Sequence, residues 1–232
     1  MNRNGNTYTF IYAAIMVIIV AAVLSAVAMS LKPLQTRNFE IEKKKSILAS
    51  VNIASTSENA EEIYAQKIVK SYVVDVHGNQ IDGDAFNIDL KKEHAKKPEN
   101  RSLPVFECKT SEGTKYILPL RGTGLWGPIW GYLSLDKDMN TIYGVNFDHQ
   151  GETPGLGAEI TTKMFEDPFK GKKIFDESGK LVSITVAKVN ETAPAEHRVD
   201  AISGGTITSK GLQKMLFDDL TNYKEFLIKK KS

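Results

Sequence analysis

The stretch Lys115-Tyr116-Ile117-Leu118-Pro119-Leu120-Arg121-Gly122-Thr123-Gly124-Leu125-Trp126-Gly127-Pro128-Ile129-Trp130-Gly131 decides the fold class. It opens with a run rich in β-formers, and Gly122 to Gly127 matches the G-x-G-x-x-G spacing of dinucleotide-binding turns. Such a turn needs a helix behind it, because the pyrophosphate rests on the helix's free N–H groups. Here Pro128 follows Gly127 directly, and a further β-rich run, Tyr132 to Leu135, comes next. Asp148 is suitably placed downstream for a ribose, but it supplies no helix. The segment therefore reads as a tight turn between two strands, which argues against a Rossmann fold. Trp126 and Trp130 keep two readings: core side chains, or aromatic cover for an apolar surface.

The pattern extends in both directions. Leu103 to Cys108 and Ile142 to Asp148 are short β-rich runs bounded by Gly, Asp and Asn turns. Leu181 to Val189 alternates with a period of two. Glu159 to Phe165 predicts a short helix stopped by Asp167-Pro168. From Ser209 to Lys229, Leu212, Met215, Leu216, Leu220, Tyr223, Phe226 and Leu227 recur at helical spacing. Upstream, Phe39 to Val51 and Ser57 to Ser71 read as helices, with Ser57 as an N-cap, and Asn79 to Asn100 as a polar irregular insert. The expected fold is α+β: a twisted, largely antiparallel sheet with helices packed on it.

Thr7 to Leu31 contains no charged side chain. About 20 apolar residues cross a hydrocarbon layer of ~30 Å, so the run predicts a single N-terminal transmembrane helix. Arg3 and Lys32 bracket it, and Tyr8, Phe10 and Tyr12 suit a membrane interface. A cleaved signal peptide is the rival, with Ala26 and Ala28 as small residues near a cleavage point. The run exceeds the roughly 7–15 apolar residues of a signal core, which favours the anchor. The expected organisation is a tail at 1–6, the membrane helix at 7–31, a helical and irregular connecting part at 32–100 and a folded core at 101–232. Lys32, Arg37 and Lys43 to Lys45 would by themselves hold the C-terminal part in the cytoplasm, but that rule weakens when a long domain follows.

The net charge of +2 over 232 residues lacks the strong basic bias of a nucleic-acid binder. Lys43-Lys44-Lys45 and Lys229-Lys230-Lys231 read as solvated helix faces or ends. The single cysteine, Cys108, excludes an internal disulfide and any cysteine-built metal or iron–sulfur site. Its apolar neighbours make it a small buried side chain.

Two more glycine-rich segments invite a ligand. Gly151-Glu152-Thr153-Pro154-Gly155-Leu156-Gly157 offers backbone N–H groups, a carboxylate and a hydroxyl, with Leu156 to cover a ring face. On local chemistry it reads equally as a loop entering a helix. Asp200-Ala201-Ile202-Ser203-Gly204-Gly205-Thr206-Ile207-Thr208-Ser209 precedes the final helix, whose free N–H groups and positive dipole end suit a phosphate near Thr206. A polar capping turn is the alternative there. Arg121 and His149 read as a surface ion-pair partner and a solvated loop residue.

Taken together, the three segments behind one membrane helix resemble the NqrC family of the Na+-translocating NADH:quinone oxidoreductase, whose members carry an FMN-binding domain. The flavinylation pattern of that family is an Asp, two residues, Ser-Gly-Ala-Thr, one residue, then Thr or Ser. Asp200, Ser203, Gly204, Thr206 and Thr208 match it, and Gly205 stands where the family usually has Ala. The RnfG family of the Rnf complex is a close relative that differs in electron partners; Gly124 to Trp130 favours the quinone reductase. A tethered binding module without covalent flavin is the alternative from another class.

The resemblance implies FMN held as a phosphoester on Thr206, placed there from FAD by a separate flavin transferase outside the bacterial cytoplasmic membrane. Thr206 is then an attachment point and not a turnover nucleophile. Ser203, Gly204, Gly205, Thr208 and Asp200 would surround the attachment. Trp126, Thr153, Gly155, Leu156 and Gly157 would bound the ring, and the nearby Glu152 carboxylate would lower its potential. The implied role is electron transfer among the other subunits, from NADH to ubiquinone with Na+ export, the soluble part lying in the periplasm.

Overall fold

A computed structural model of the chain describes residues 5–188 and 190–231. The expected tail falls mostly outside these residues, as do its Arg3 and Val189 at the end of the expected strand. The chain divides into two compact units, one ending at Lys43 and one beginning at Lys44. Helix α1 (Asn6–Ser50) begins in the first and ends in the second. It is the one described helix long and apolar enough to cross a membrane, and its apolar stretch is exposed along its length. At 1.5 Å per residue, Thr7 to Leu31 covers about 37 Å, enough for the ~30 Å hydrocarbon layer. The helix expected from Phe39 is therefore the continuation of the apolar one.

The second unit is built on a sheet. In chain order its elements are α2 (Ala60–Lys67), β1 (Ile68–Val74), β2 (Gln80–Ile81), α3 (Leu90–His94), β3 (Leu103–Thr110), β4 (Gly113–Thr123), β5 (Pro128–Leu135), β6 (Ile142–His149), α4 (Lys163–Glu166), β7 (Thr185–Ala187), β8 (Arg198–Asp200) and α5 (Thr206–Lys231). Six strands form one sheet in the order β2-β1-β3-β4-β5-β6, with every neighbouring pair antiparallel. A separate parallel pair joins β7 and β8.

Side chains alternate across the sheet, as the pleat requires. On one face Leu118, Leu120, Ile129, Leu133 and Phe147 meet Leu212, Met215, Leu216, Leu220 and Tyr223 of α5. On the other, Phe106, Cys108, Ile117 and Tyr132 meet Ile47 in the last turn of α1 and Val51 just beyond it. Fully burying an aliphatic or aromatic side chain contributes about 1.5–3 kcal/mol, so both layers stabilise the sheet. Cys108 is a free, buried thiol, as its apolar neighbours suggested. The fold is the expected α+β arrangement.

Several local expectations need correction. The helix expected to run to Ser71 ends at Lys67, and β1 takes over at Ile68. Ile68 fits the helical stripe of Ala60, Ile63 and Tyr64, but the β-branched run beyond it pairs with β3 instead. Asn59, not Ser57, stands at the N-cap position of α2. The Asn79–Asn100 region holds β2, α3 and two short 3-10 turns rather than irregular chain alone. Only Thr185–Ala187 of the alternating run becomes a strand. Upstream of it Ser183 takes φ +60°, and the Val182 and Ser183 N–H groups both donate to the Ile174 carbonyl. The helix expected at Glu159 to Phe165 is a 3-10 turn (Gly157–Thr161) followed by α4. The final helix starts at Thr206, three residues earlier than its apolar spacing implied.

A buried carboxylate fastens that helix. Asp219 Oδ2 accepts the Arg121 backbone N–H of β4 at 2.7 Å, and Oδ1 lies 2.8 Å from His94 Nε2 of α3. Burial raises the Asp219 pKa above the usual carboxylate range, against the opposing pull of His94 and the Arg121 N–H.

Candidate functional site

The first glycine-rich segment is the turn of the β4–β5 hairpin. The Gly124 N–H donates to the Gly127 carbonyl at 2.8 Å, and Thr123 pairs with Pro128. No helix follows, as Pro128 required. The turn carries Leu125 and Trp126 outward; Trp126 is 69% exposed, so it is not a core residue, while Trp130 is half-buried.

The second segment leaves β6 and folds under this turn. Glu152 is buried. Its Oε1 accepts the Trp126 backbone N–H at 2.9 Å, and its Oε2 accepts the Thr208 hydroxyl of α5. One carboxylate therefore joins all three glycine-rich segments. The Glu152 N–H donates to His149 Nδ1 at 3.2 Å, which ties the half-buried His149 to the joint. Thr153 is exposed, and its carbonyl accepts the Leu156 and Ala158 N–H groups. Gly155 turns the loop at φ +75° and donates to Glu159 Oε1 at 2.9 Å. Leu156 is exposed, and Gly157 is buried against Glu152 and Thr208.

The third segment enters α5. Ser203 is exposed; Gly204 has φ +74° and lies under the Leu156 side chain, where a Cβ would collide with it. Gly205 is buried, and its carbonyl accepts the Ser209 N–H at 2.9 Å. Thr206 opens the helix, so the N–H groups of Thr206, Ile207 and Thr208 have no helical carbonyl behind them. The half-buried Thr206 hydroxyl makes no hydrogen bond among the described residues, whereas the Thr208 hydroxyl is committed to Glu152. Asp200 ends β8 and pairs with Arg198 at 2.9 Å. Arg121 contributes its backbone to Asp219, and among the described residues its guanidinium makes no ion pair.

Sequence reasoning gave Gly124 and Ile207 no contact role and passed over Gly211. A Cβ at Gly124 would overlap the Glu152 carboxylate, and one at Gly211 would overlap the Thr123 carbonyl, so α5 docks closely on the hairpin. Ile207, 58% exposed, joins Leu125, Trp126 and Leu156 as an uncovered apolar side chain. The signal for Gly211 was its spacing of four from Ile207 and Met215, which puts it on one face of α5. Among the described residues no cluster of His, Cys, Asp and Glu could hold a metal ion.

A family model described as an FMN-binding domain matches residues 124–220, which contains all of the joint and its flanking apolar side chains. The NqrC subunit of the Na(+)-translocating NADH-quinone reductase of Haemophilus ducreyi is 31% identical over 91% of this chain and 88% of its own length. Its namesake from Neisseria meningitidis serogroup A is 32% identical over 91% and 88%. A crystal structure of the same subunit from Parabacteroides distasonis shares 46% identity and superimposes with a TM-score of 0.80, covering 85% of this chain and 96% of that one. Shewanella oneidensis NqrC gives 26% identity and a TM-score of 0.70 over 83% and 97%. Similarity of this extent, over nearly the full length of its relatives, shows that the chain belongs to the NqrC family of Na+-translocating NADH-quinone reductases.

Proposed function

We propose that this chain carries FMN covalently on Thr206 and passes electrons between the other subunits of a membrane-bound Na+-translocating NADH-quinone reductase. The observation that carries this reading is the accessible Thr206 hydroxyl, at the start of α5 in the turn that Leu156 covers. A phosphate diester there bears one negative charge. The unpaired N–H groups of the first turn and the helix dipole suit it, the dipole alone contributing roughly 0.3–1 kcal/mol. Thr208 is a poorer attachment point because its hydroxyl is buried and already donates to Glu152. The exposed Leu125, Trp126 and Leu156 suit the apolar faces of a flat heteroaromatic ring. Bound FMN supplies one- and two-electron chemistry, while the chain holds it, orients it and limits water at its faces.

Attachment joins Thr206 Oγ1 to the phosphorus on the FMN side of FAD. The pyrophosphate bond breaks, AMP leaves and the hydroxyl proton is released; a separate flavin transferase performs the step. This reading puts the second unit in the periplasm, where that enzyme acts, against the naive count of Lys32, Arg37 and Lys43 to Lys45. A tether also keeps the flavin at high effective concentration in an open compartment.

Denaturing electrophoresis of the chain, purified from membranes that contain the transferase, tests the proposal. Flavin fluorescence that migrates with the denatured chain and is absent from Thr206→Ala supports it. A dark wild-type band beside a loaded control substrate would sink it and leave a non-covalent flavin binder or a tethered scaffold.

A further inference from the structure

We infer that Glu152 is a positioning residue that clasps the Leu125–Trp126 turn to the first turn of α5, rather than a ring-facing carboxylate that acts through its charge. Both of its oxygens are occupied by the chain itself: Oε1 by the Trp126 N–H and Oε2 by the Thr208 hydroxyl. The carboxylate is wedged between backbone segments, because a Cβ at Gly124 would overlap Oε1 and a Cβ at Gly157 would overlap Oε2. Glu152 makes no ion pair among the described residues, yet it is buried. A buried carboxylate survives without a cation only if hydrogen bonds and dipoles replace its water. Here two donors and the positive end of α5, whose third residue is Thr208, do so.

The clasp explains how the Trp126 backbone stays in place while most of its side chain lies outside the core. Its indole receives little from packing, so the backbone N–H bond to Glu152 and the turn closure at Gly124 fix the main chain from which the ring projects. The partners are 26 and 56 positions away from Glu152 in sequence, so losing the carboxylate would release the hairpin turn and the helix start together. Every contact is internal, so the clasp needs no ligand to form. Its consequence for seating the flavin rests on the proposed role of Thr206; the clasp itself does not.

Gln separates clasp from charge. Its amide oxygen can accept from Trp126 and its amide nitrogen can donate to the Thr208 oxygen, keeping the joint while removing the charge. Hydrogen–deuterium exchange, resolved to single amides by mass spectrometry, is measured on the detergent-solubilised full chain expressed without a transferase. Glu152→Ala should speed exchange of the Trp126 amide roughly tenfold or more while the core amide of Leu118 stays protected. Glu152→Gln should retain the slow Trp126 amide. Thr208→Val, which removes one arm only, should give an intermediate rise. Trp126 exchange unchanged in Glu152→Ala, or Gln behaving as Ala, would overturn the clasp. Should Glu152→Ala expose Leu118 as well, Thr208→Val decides: no rise at Trp126 there overturns the clasp. Because no flavin takes part, failure here is distinct from failure of Thr206 to load.

Discussion

Replacing Gly157 by Ala tests the close packing at the site in the most local way available. Gly157 has an ordinary backbone conformation, so its cost as Ala is steric and not conformational. The new Cβ would overlap Glu152 Oε2 and Thr208 Oγ1, and would lie 3.1 Å from Thr208 Cβ. Overpacking a filled interior costs about 1–3 kcal/mol. Prising the Thr208 hydroxyl from a charged acceptor costs about 1.5–3 kcal/mol. The two overlap, because one displacement relieves both, so the expected loss is about 2–4 kcal/mol. For a domain of this size that lowers the melting temperature by about 5–15 °C. Gly151→Ala is the matched control: nothing lies within 4 Å of its added Cβ, and the expected change is under about 0.5 kcal/mol. Both variants are melted as the full chain in detergent, followed by far-UV circular dichroism. Equal melting temperatures for the two would refute the packing argument.

Other expectations follow from the same geometry. Trp126→Ala should leave the melting temperature nearly unchanged, by less than about 0.5 kcal/mol of stability, because the indole is mostly exposed; in the loaded chain it should shift the visible flavin absorption, and a large loss of stability instead would place the indole in the core. Asp219 binds its proton more tightly folded than unfolded, so its contribution to stability falls as pH rises from the ordinary aspartate value near ~3.9 into the raised range. Urea unfolding across that window should show the decline, and Asp219→Asn should remove it; an unchanged slope would show that Asp219 is not its source. Ser178 is exposed and Cys108 is the only thiol. A Cys108→Ala, Ser178→Cys chain should therefore react with a membrane-impermeant maleimide in intact spheroplasts, whereas labelling only after lysis would put the second unit in the cytoplasm.

The central strands were legible because they are bounded by turn residues and alternate between two buried faces, as Ile117, Leu118 and Leu120 do. Helix α5 was legible for a similar reason: its apolar stripe is long and regular. Strand β1 was hidden because Ile68 fits two periods at once, and only pairing with β3 decides between them. The unbroken length of α1 was hidden by the change from an all-apolar to a one-sided pattern near Lys32. At the site, the glycines and Thr206 stood out from composition and order. Their meeting point did not, since Glu152 could be recognised as a carboxylate near the ligand but not as a joint. Its partners Trp126 and Thr208 come together only when the hairpin, the loop and the helix have packed. The exposure of Trp126 was equally undecided, because an aromatic in a glycine-rich turn fits core and surface alike.

Peptide mapping of the purified, denatured chain tests the central claim most directly. Trypsin cuts after Arg198 and Lys210, releasing a peptide of residues 199–210 that holds Ser203, Thr206, Thr208 and Ser209. Covalent attachment at Thr206 predicts that this peptide gains the mass of one FMN less water, that fragmentation places the addition on Thr206, and that Thr206→Ala abolishes it. An unmodified peptide from a chain matured beside a working transferase, or the addition found on Ser203 or Thr208, would contradict it.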